Sequence, residues 1–129
     1  MTAVQAVLDE FNRGLRMKDQ GLAKRFHKTA IFVGSEPGEL ARGRDELTQL
    51  FGAMFQSPAT VQFEWASVEA NSTGDTAWFY AEGTVVIVAP DREQRRPYAL
   101  TGVIEKGRQG WRWRLFHGSE PWIEPPASH

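Results

Sequence analysis

The sequence predicts an α+β fold in which helices come first and a twisted antiparallel sheet follows. Three observations predict it. Apolar residues recur at spacings of three and four in the first half. From residue 61 to about residue 120 they recur mainly at every second position. Glycine, proline and short polar clusters punctuate that second half where hairpins need turns. Helices followed by consecutive strands place the helices on one face of a sheet.

Residues 2 to 17 read as a helix, with Val4, Val7, Leu8, Phe11 and Leu15 on one face. Thr2 and Gln5 have capping-box spacing at its start. Asp19 can cap a shorter second helix that carries Leu22 and Phe26 inward. Ala30 to Val33 reads as a first strand, and the polar connection Gly34 to Gly43 follows it. A third helix carries the apolar stripe Leu47, Leu50, Phe51, Met54 and Phe55. Asp45 and Glu46 complement its dipole, and Ser57-Pro58 ends it.

A strand is expected over 61–70, with a bulge near Trp65 where the apolar phase moves to Ala66 and Val68. Asn71 to Asp75 is a turn, and a long strand runs from about Thr76 to Ala89, with Gly83 a natural bend. Pro90 to Pro97 reads as a charged loop. Strands over 98–106 and 111–120 are joined through Gly107 to Gly110, and a proline-rich tail begins at about 121.

The chain of 129 residues fits a single domain with a core of its own. Its 41% hydrophobic and 24% charged residues are ordinary for a globular protein. A net charge of −1 supplies no field that would draw it to nucleic acid or to an acidic membrane. The arginines at 92, 95, 96, 108, 112 and 114 are interrupted by acids at 91, 93, 105 and 120, which weakens a nucleic-acid reading further. Without cysteine there is no disulfide, thiolate nucleophile or cysteine metal site, which suits a reducing cytosol. The three histidines, His27, His117 and His129, lack ligand spacing, so neither a metal nor another cofactor is expected. The N-terminus does not look like a signal peptide, and no apolar run nears the roughly 18 residues that cross a bilayer.

Both faces of the long strand are apolar. Trp78, Tyr80, Thr84, Val86 and Val88 occupy one, and Ala77, Phe79, Ala81, Val85 and Ile87 the other. An antiparallel sheet with a wet face should alternate apolar with polar, so something must cover the second face. A homodimer through the outer face is the economical expectation.

The last strand supplies the first candidate site. By period two, Trp111, Trp113, Leu115, His117 and Ser119 share one face, an apolar row that ends in polar groups. Such a row is how small-ligand pockets are built. His117 would donate or accept a proton, with Ser119 orienting it or the ligand. The plainer alternative is a histidine satisfied by a backbone carbonyl. Glu82, in phase with Trp78 and Tyr80 among apolar neighbours, must be paired or have a raised pKa. A salt bridge to a neighbouring arginine is its structural alternative. Glu36 and Glu39, set among glycines and a proline, form a loop able to fold over a cavity, or else a solvated connection.

The whole chain from about Val4 to Trp122 resembles the NTF2-like superfamily, in its SnoaL-like and ketosteroid-isomerase-like branch. Gly34-Ser35-Glu36-Pro37-Gly38-Glu39 with Gly43, and the terminal His117-Gly118-Ser119-Glu120-Pro121, carry the resemblance. It implies a cystatin-like cone whose curved sheet wraps the helices around an apolar pocket, commonly in a homodimer. His117 and Ser119 would project into that pocket, with Glu39 near its rim. Ketosteroid isomerases set a tyrosine on the helical wall opposite a carboxylate. Here the helical stripes carry Phe11, leucine and methionine instead, which argues against steroid isomerisation by that constellation.

The expected ligand is an apolar or aromatic small molecule with one polar handle. The chemistry to look for is proton transfer, as in isomerases, cyclases and dehydratases. His117 is the expected acid or base, with Glu82 or Tyr80 assisting. Ser119, Trp78, Trp113, Glu39 and Phe55 are the expected ligand-contacting residues. A non-catalytic carrier, or an interaction module on the same fold, is the alternative.

Overall fold

Helix α1 (Ala3–Met17) begins where the sequence supplies a cap, for the Thr2 hydroxyl accepts the Gln5 N–H at 3.1 Å. It ends at Lys18, in a left-handed conformation that returns the last N–H to Gly14 and Leu15. Its buried face is the predicted one, Val4, Val7, Leu8, Phe11 and Leu15. The computed structural model describes residues 2–121. Beyond Pro121 the expected proline-rich tail lies outside the described residues.

The expected second helix is a single 3-10 turn, Leu22–Arg25. Asp19 accepts the Gly21 N–H at 2.8 Å, an Asx-type turn that uses its carboxylate before it can cap a longer helix. Phe26 is already the first residue of strand β1 (Phe26–Val33), which is therefore longer than its apolar tetrad. Inside the predicted connection, a short strand β2 (Leu40–Arg42) pairs antiparallel with β1. Helix α2 (Gly43–Phe55) follows and buries Leu47 and Phe51 most completely.

Four strands complete the sheet: β3 (Thr60–Thr73), β4 (Thr76–Ala89), β5 (Arg92–Gly107) and β6 (Gly110–Ser119). The order is β2-β1-β6-β5-β4-β3, antiparallel except where β6 lies parallel to β1. The two helices pack against this six-stranded curved sheet, an α+β cone. The bulge expected near Trp65 is present, Trp65 pairing with Gly83 and Ser67 with Glu82. Gly83 is also where β3 crowds in, since a Cβ there would collide with the Glu64 carbonyl.

Residues 92–97 are not a loop. They continue β5 in unbroken register with β4, Arg96 opposite Val85 and Gln94 opposite Ile87. Partner strand β6 reaches only as far as Ala99, so this end of β5 is locally an edge, where Pro97 costs no ladder hydrogen bond. The extension turns Arg96 to the inner face beside Tyr98.

The core is aromatic. Phe11 of α1 meets Phe26, Phe51, Phe63, Trp113 and Phe116 edge-on or tilted, and Phe32 stacks on Phe116 with ring centres 4.3 Å apart. α1 is tied to β3 by two side chains, for the Gln62 amide donates to the Asn12 carbonyl at 2.8 Å and Asn12 bonds β3 in turn. The Asn12 amide donates to the Phe63 carbonyl at 2.7 Å and accepts the Phe63 N–H at 2.8 Å. Those are the backbone groups that an edge strand would otherwise leave unpaired.

Candidate functional site

A second irregularity decides what faces the inside. Ile104 pairs with Trp113 and Val103 with Leu115, so Arg114 is an extra residue in β6. An extra residue reverses the side-chain phase beyond it. Trp113 therefore points inward, 1% exposed, while beyond the bulge Phe116 and Gly118 point inward and Leu115, His117 and Ser119 outward. The expectation that His117 and Ser119 extend the Trp111–Trp113 row into a pocket is corrected: both are exposed on the outer face.

Tyr80, Glu82 and Trp78 share that outer face on β4. Trp78 is 43% and Tyr80 40% exposed, and Glu82 is exposed as well. The Tyr80 phenol has its pKa raised, first by its hydrogen bond to Glu82. These three residues, predicted to assist in a pocket, belong to the opposite side of the sheet. Trp113 is packed among Phe11, Phe26, Phe79 and Phe116 as core. Phe55, expected to contact the ligand, is half-buried against Phe51 and does not line the cavity, whereas its neighbour Met54 does.

The cavity itself lies at the wide end of the cone, between α1, α2, the β1–β2 loop and the inner face of β3 to β6. Its volume is about 90 Å³. The walls are apolar: Phe11, Phe32, Phe63, Val85, Ile87 and Phe116 among them. One rim is polar, made by Ser35, Glu36, Glu39, Arg96, Tyr98 and Glu120. Of the residues singled out from sequence as site candidates, Glu36 and Glu39 line this cavity and the others do not.

The rim is organised by the turn between β1 and β2. Gly34 N–H donates to the Glu39 carbonyl at 2.6 Å, closing the loop, and Glu36 N–H donates to Glu39 Oε1 at 2.8 Å. The Glu39 side chain folds back over Gly34, where any Cβ would collide with it. Burial pushes the Glu39 carboxyl above the usual range, helped by the charges of Glu36 and Glu120 and opposed by the Glu36 N–H.

Across the rim, Ser35 Oγ donates to Glu120 Oε2 at 2.8 Å. Arg96 Nε approaches Glu120 Oε1 to 2.9 Å, and another guanidinium nitrogen lies 3.6 Å from Glu36. The Nε–Glu120 approach is an ion pair without hydrogen-bond alignment, so a buried Nε–H has no hydrogen-bonding partner among the described residues. Tyr98 is 5% exposed, and its hydroxyl occupies the space that Gly118 leaves by lacking a side chain. Burial first, then the charge of Glu39, holds the Tyr98 phenol far above its ordinary pKa, so it is a hydrogen-bond donor at every working pH.

Sequence reasoning missed Arg96 and Tyr98 as site residues. The signal was there: Gln94, Arg96, Tyr98 and Leu100 alternate in one phase, but the charges at 91–96 made the run look like a loop.

Among the described residues no helix is long and apolar enough to cross a membrane, and no three metal-ligating side chains cluster. The model of the SnoaL-like domain family matches residues 4–123. Solved structures share the fold at low identity. A candidate dehydratase of the NTF2-like family from Streptomyces avermitilis superposes with a TM-score of 0.78 at 18% identity, covering 93% of this chain and 94% of that one. An NTF2-like protein with a cystatin-like fold from Novosphingobium aromaticivorans gives 0.74 at 14%, covering 91% and 79%. ActVI-ORFA from Streptomyces coelicolor gives 0.75 at 16%, covering 91% and 93%. No curated protein matches the sequence.

Proposed function

The chain belongs to the SnoaL-like domain family of NTF2-like proteins, and from that premise we propose that its cavity binds an apolar or aromatic carbonyl compound and moves a proton on it. The observation that carries the reading is the rim: a permanent donor, Tyr98, and an unsatisfied Arg96 Nε–H share one cavity edge with a carboxyl of raised pKa, Glu39. A carbonyl oxygen would accept from Tyr98 and Arg96, which stabilise negative charge as it develops there. Glu39 would take a proton from the neighbouring carbon and return it elsewhere. Its raised pKa brings it nearer the range in which a carboxylate is an effective base at neutral pH. Isomerisation, cyclisation and dehydration all need this step, and the Streptomyces avermitilis neighbour is itself described as a candidate dehydratase.

The volume sets a condition. A benzene ring needs a cavity of roughly 150 Å³, and this one measures about 90 Å³. An aromatic ligand therefore requires the Gly34–Glu39 loop and the unbranched Met54 side chain to give way. The apolar outer face supports the second half of the proposal, a homodimer in a cytoplasmic protein. Trp78, Val103, Leu115 and Ile31 stand side by side across β4, β5, β6 and β1 in register, and the helices do not cover them.

Hydrogen–deuterium exchange at the carbon beside the carbonyl of small aryl ketones, followed by NMR in D₂O, tests the chemistry without knowledge of the substrate. Wild type should accelerate exchange, and Glu39→Gln should lose about 10²- to 10⁴-fold of that acceleration. Binding without exchange in the wild type would make the protein a carrier and remove Glu39 from catalysis.

A further inference from the structure

At the end of the cone away from the Glu39 rim, the chain carries a second feature of opposite charge. Lys24 and Arg25 of the 3-10 turn, Arg44 of α2 and Arg112 of β6 line one groove, with Asp19, Gly21, Gln109 and Trp111. The groove measures about 400 Å³, inside the range of small-ligand sites. Four cations face one carboxylate, in a molecule whose overall charge is −1.

The pairing of these groups is incomplete. Arg25 is 3.4 Å from Glu10, outside the groove. Lys24, Arg44 and Arg112 have no carboxylate within ion-pair distance among the described residues. Arg44 spends one N–H on the Phe26 carbonyl, at 2.9 Å, which fixes its guanidinium, and Arg112 meets the Gln109 amide. Asp19 already accepts the Gly21 N–H, so its charge is partly engaged. Of the groove's four cations, Arg44 is the one felt at His27. The pKa of His27 is lowered, first by burial, then by Arg114, with Lys28 and Arg44 adding to it and Glu105 opposing.

We infer that this groove binds a phosphate-bearing small molecule, a phosphomonoester or a diphosphate. Three guanidiniums and an ammonium drawn from three elements match a multiply charged oxyanion in charge and in donor geometry better than they match a monocarboxylate. Trp111, half-buried, contributes an aromatic side chain to the groove wall beside the cations. The site is independent of the carbonyl-binding cavity, with which it shares no lining residue.

The chain has three histidines, so proton NMR can follow the imidazole of His27 individually. Titration with adenosine monophosphate or pyrophosphate should shift that resonance saturably and raise its apparent pKa, because bound anion offsets the surrounding cations. Adenosine without phosphate should not. Lys24→Glu combined with Arg112→Glu should weaken binding about ten- to a hundredfold, the loss expected for charged hydrogen bonds, while the unliganded melting temperature holds. Affinity should fall as salt is raised. Absence of a saturable shift at millimolar anion, or a shift that survives the double charge reversal, overturns the inference. So does equal binding of adenosine.

Discussion

Glu39 holds its charge at a cost that depends on pH. Burial raises its folded pKa above the unfolded value of 4.5, so the ionised form is disfavoured in the native state. Its favourable contribution is present below the unfolded pKa and is lost as pH rises through the folded pKa. Glu39→Gln keeps an oxygen to accept the Glu36 N–H and removes the charge. The variant should therefore melt higher than wild type at pH 7, with the difference vanishing below about pH 4, as scanning calorimetry at both pH values would read. Gly118 is the other decisive position. Alanine there would drive into the Tyr98 hydroxyl, so Gly118→Ala should cost about 1–3 kcal/mol in denaturant unfolding. At this scale the sequence was partly legible. Glu39 could be placed because glycines and a proline mark a special loop, whereas Tyr98 and Arg96 needed the strand that carries them to be recognised.

Single inserted residues decide which side chains the strands present. The bulge at Trp65–Ser67 was visible because the apolar phase changes there from Trp65 to Val68. The bulge at Arg114 was not, because an apolar residue, Leu115, continues the old phase on the outer face. Nothing in a period-two pattern separates a pocket face from an apolar outer face when both are hydrophobic. For the same reason the pattern points His117, Ser119, Glu82, Tyr80 and Trp78 inward, whereas the sheet turns them outward. Helix α1, by contrast, was legible down to its cap, since one amphipathic stripe against one core leaves a single solution. The Asn12 side chain adds two hydrogen bonds to the helix's attachment to β3. Asn12→Ala strands both backbone groups of Phe63 and should destabilise the fold by about 1–3 kcal/mol, with faster amide hydrogen exchange along β3 than along β5.

As a whole, the molecule is a cone with an apolar cavity and acidic rim at one end, a basic groove at the other, and an uncovered apolar sheet outside. The class of fold was legible because helices precede strands and both sheet faces are apolar. The outer face is expected to close against a second copy. Leu115→Glu, at the centre of the Trp78–Val103–Leu115–Ile31 row, should convert a dimer into a monomer in light scattering without unfolding it. The central claim concerns the inside of the cone, and calorimetric titration of acetophenone into wild type and Ile87→Trp tests it most directly. Ile87 lines the cavity and is half-buried, so an indole there fills the space that the ligand would take. Saturable binding to wild type that disappears in Ile87→Trp, with both proteins folded, is the predicted result. Binding that persists in the filled variant, or no binding by wild type to acetophenone, contradicts it.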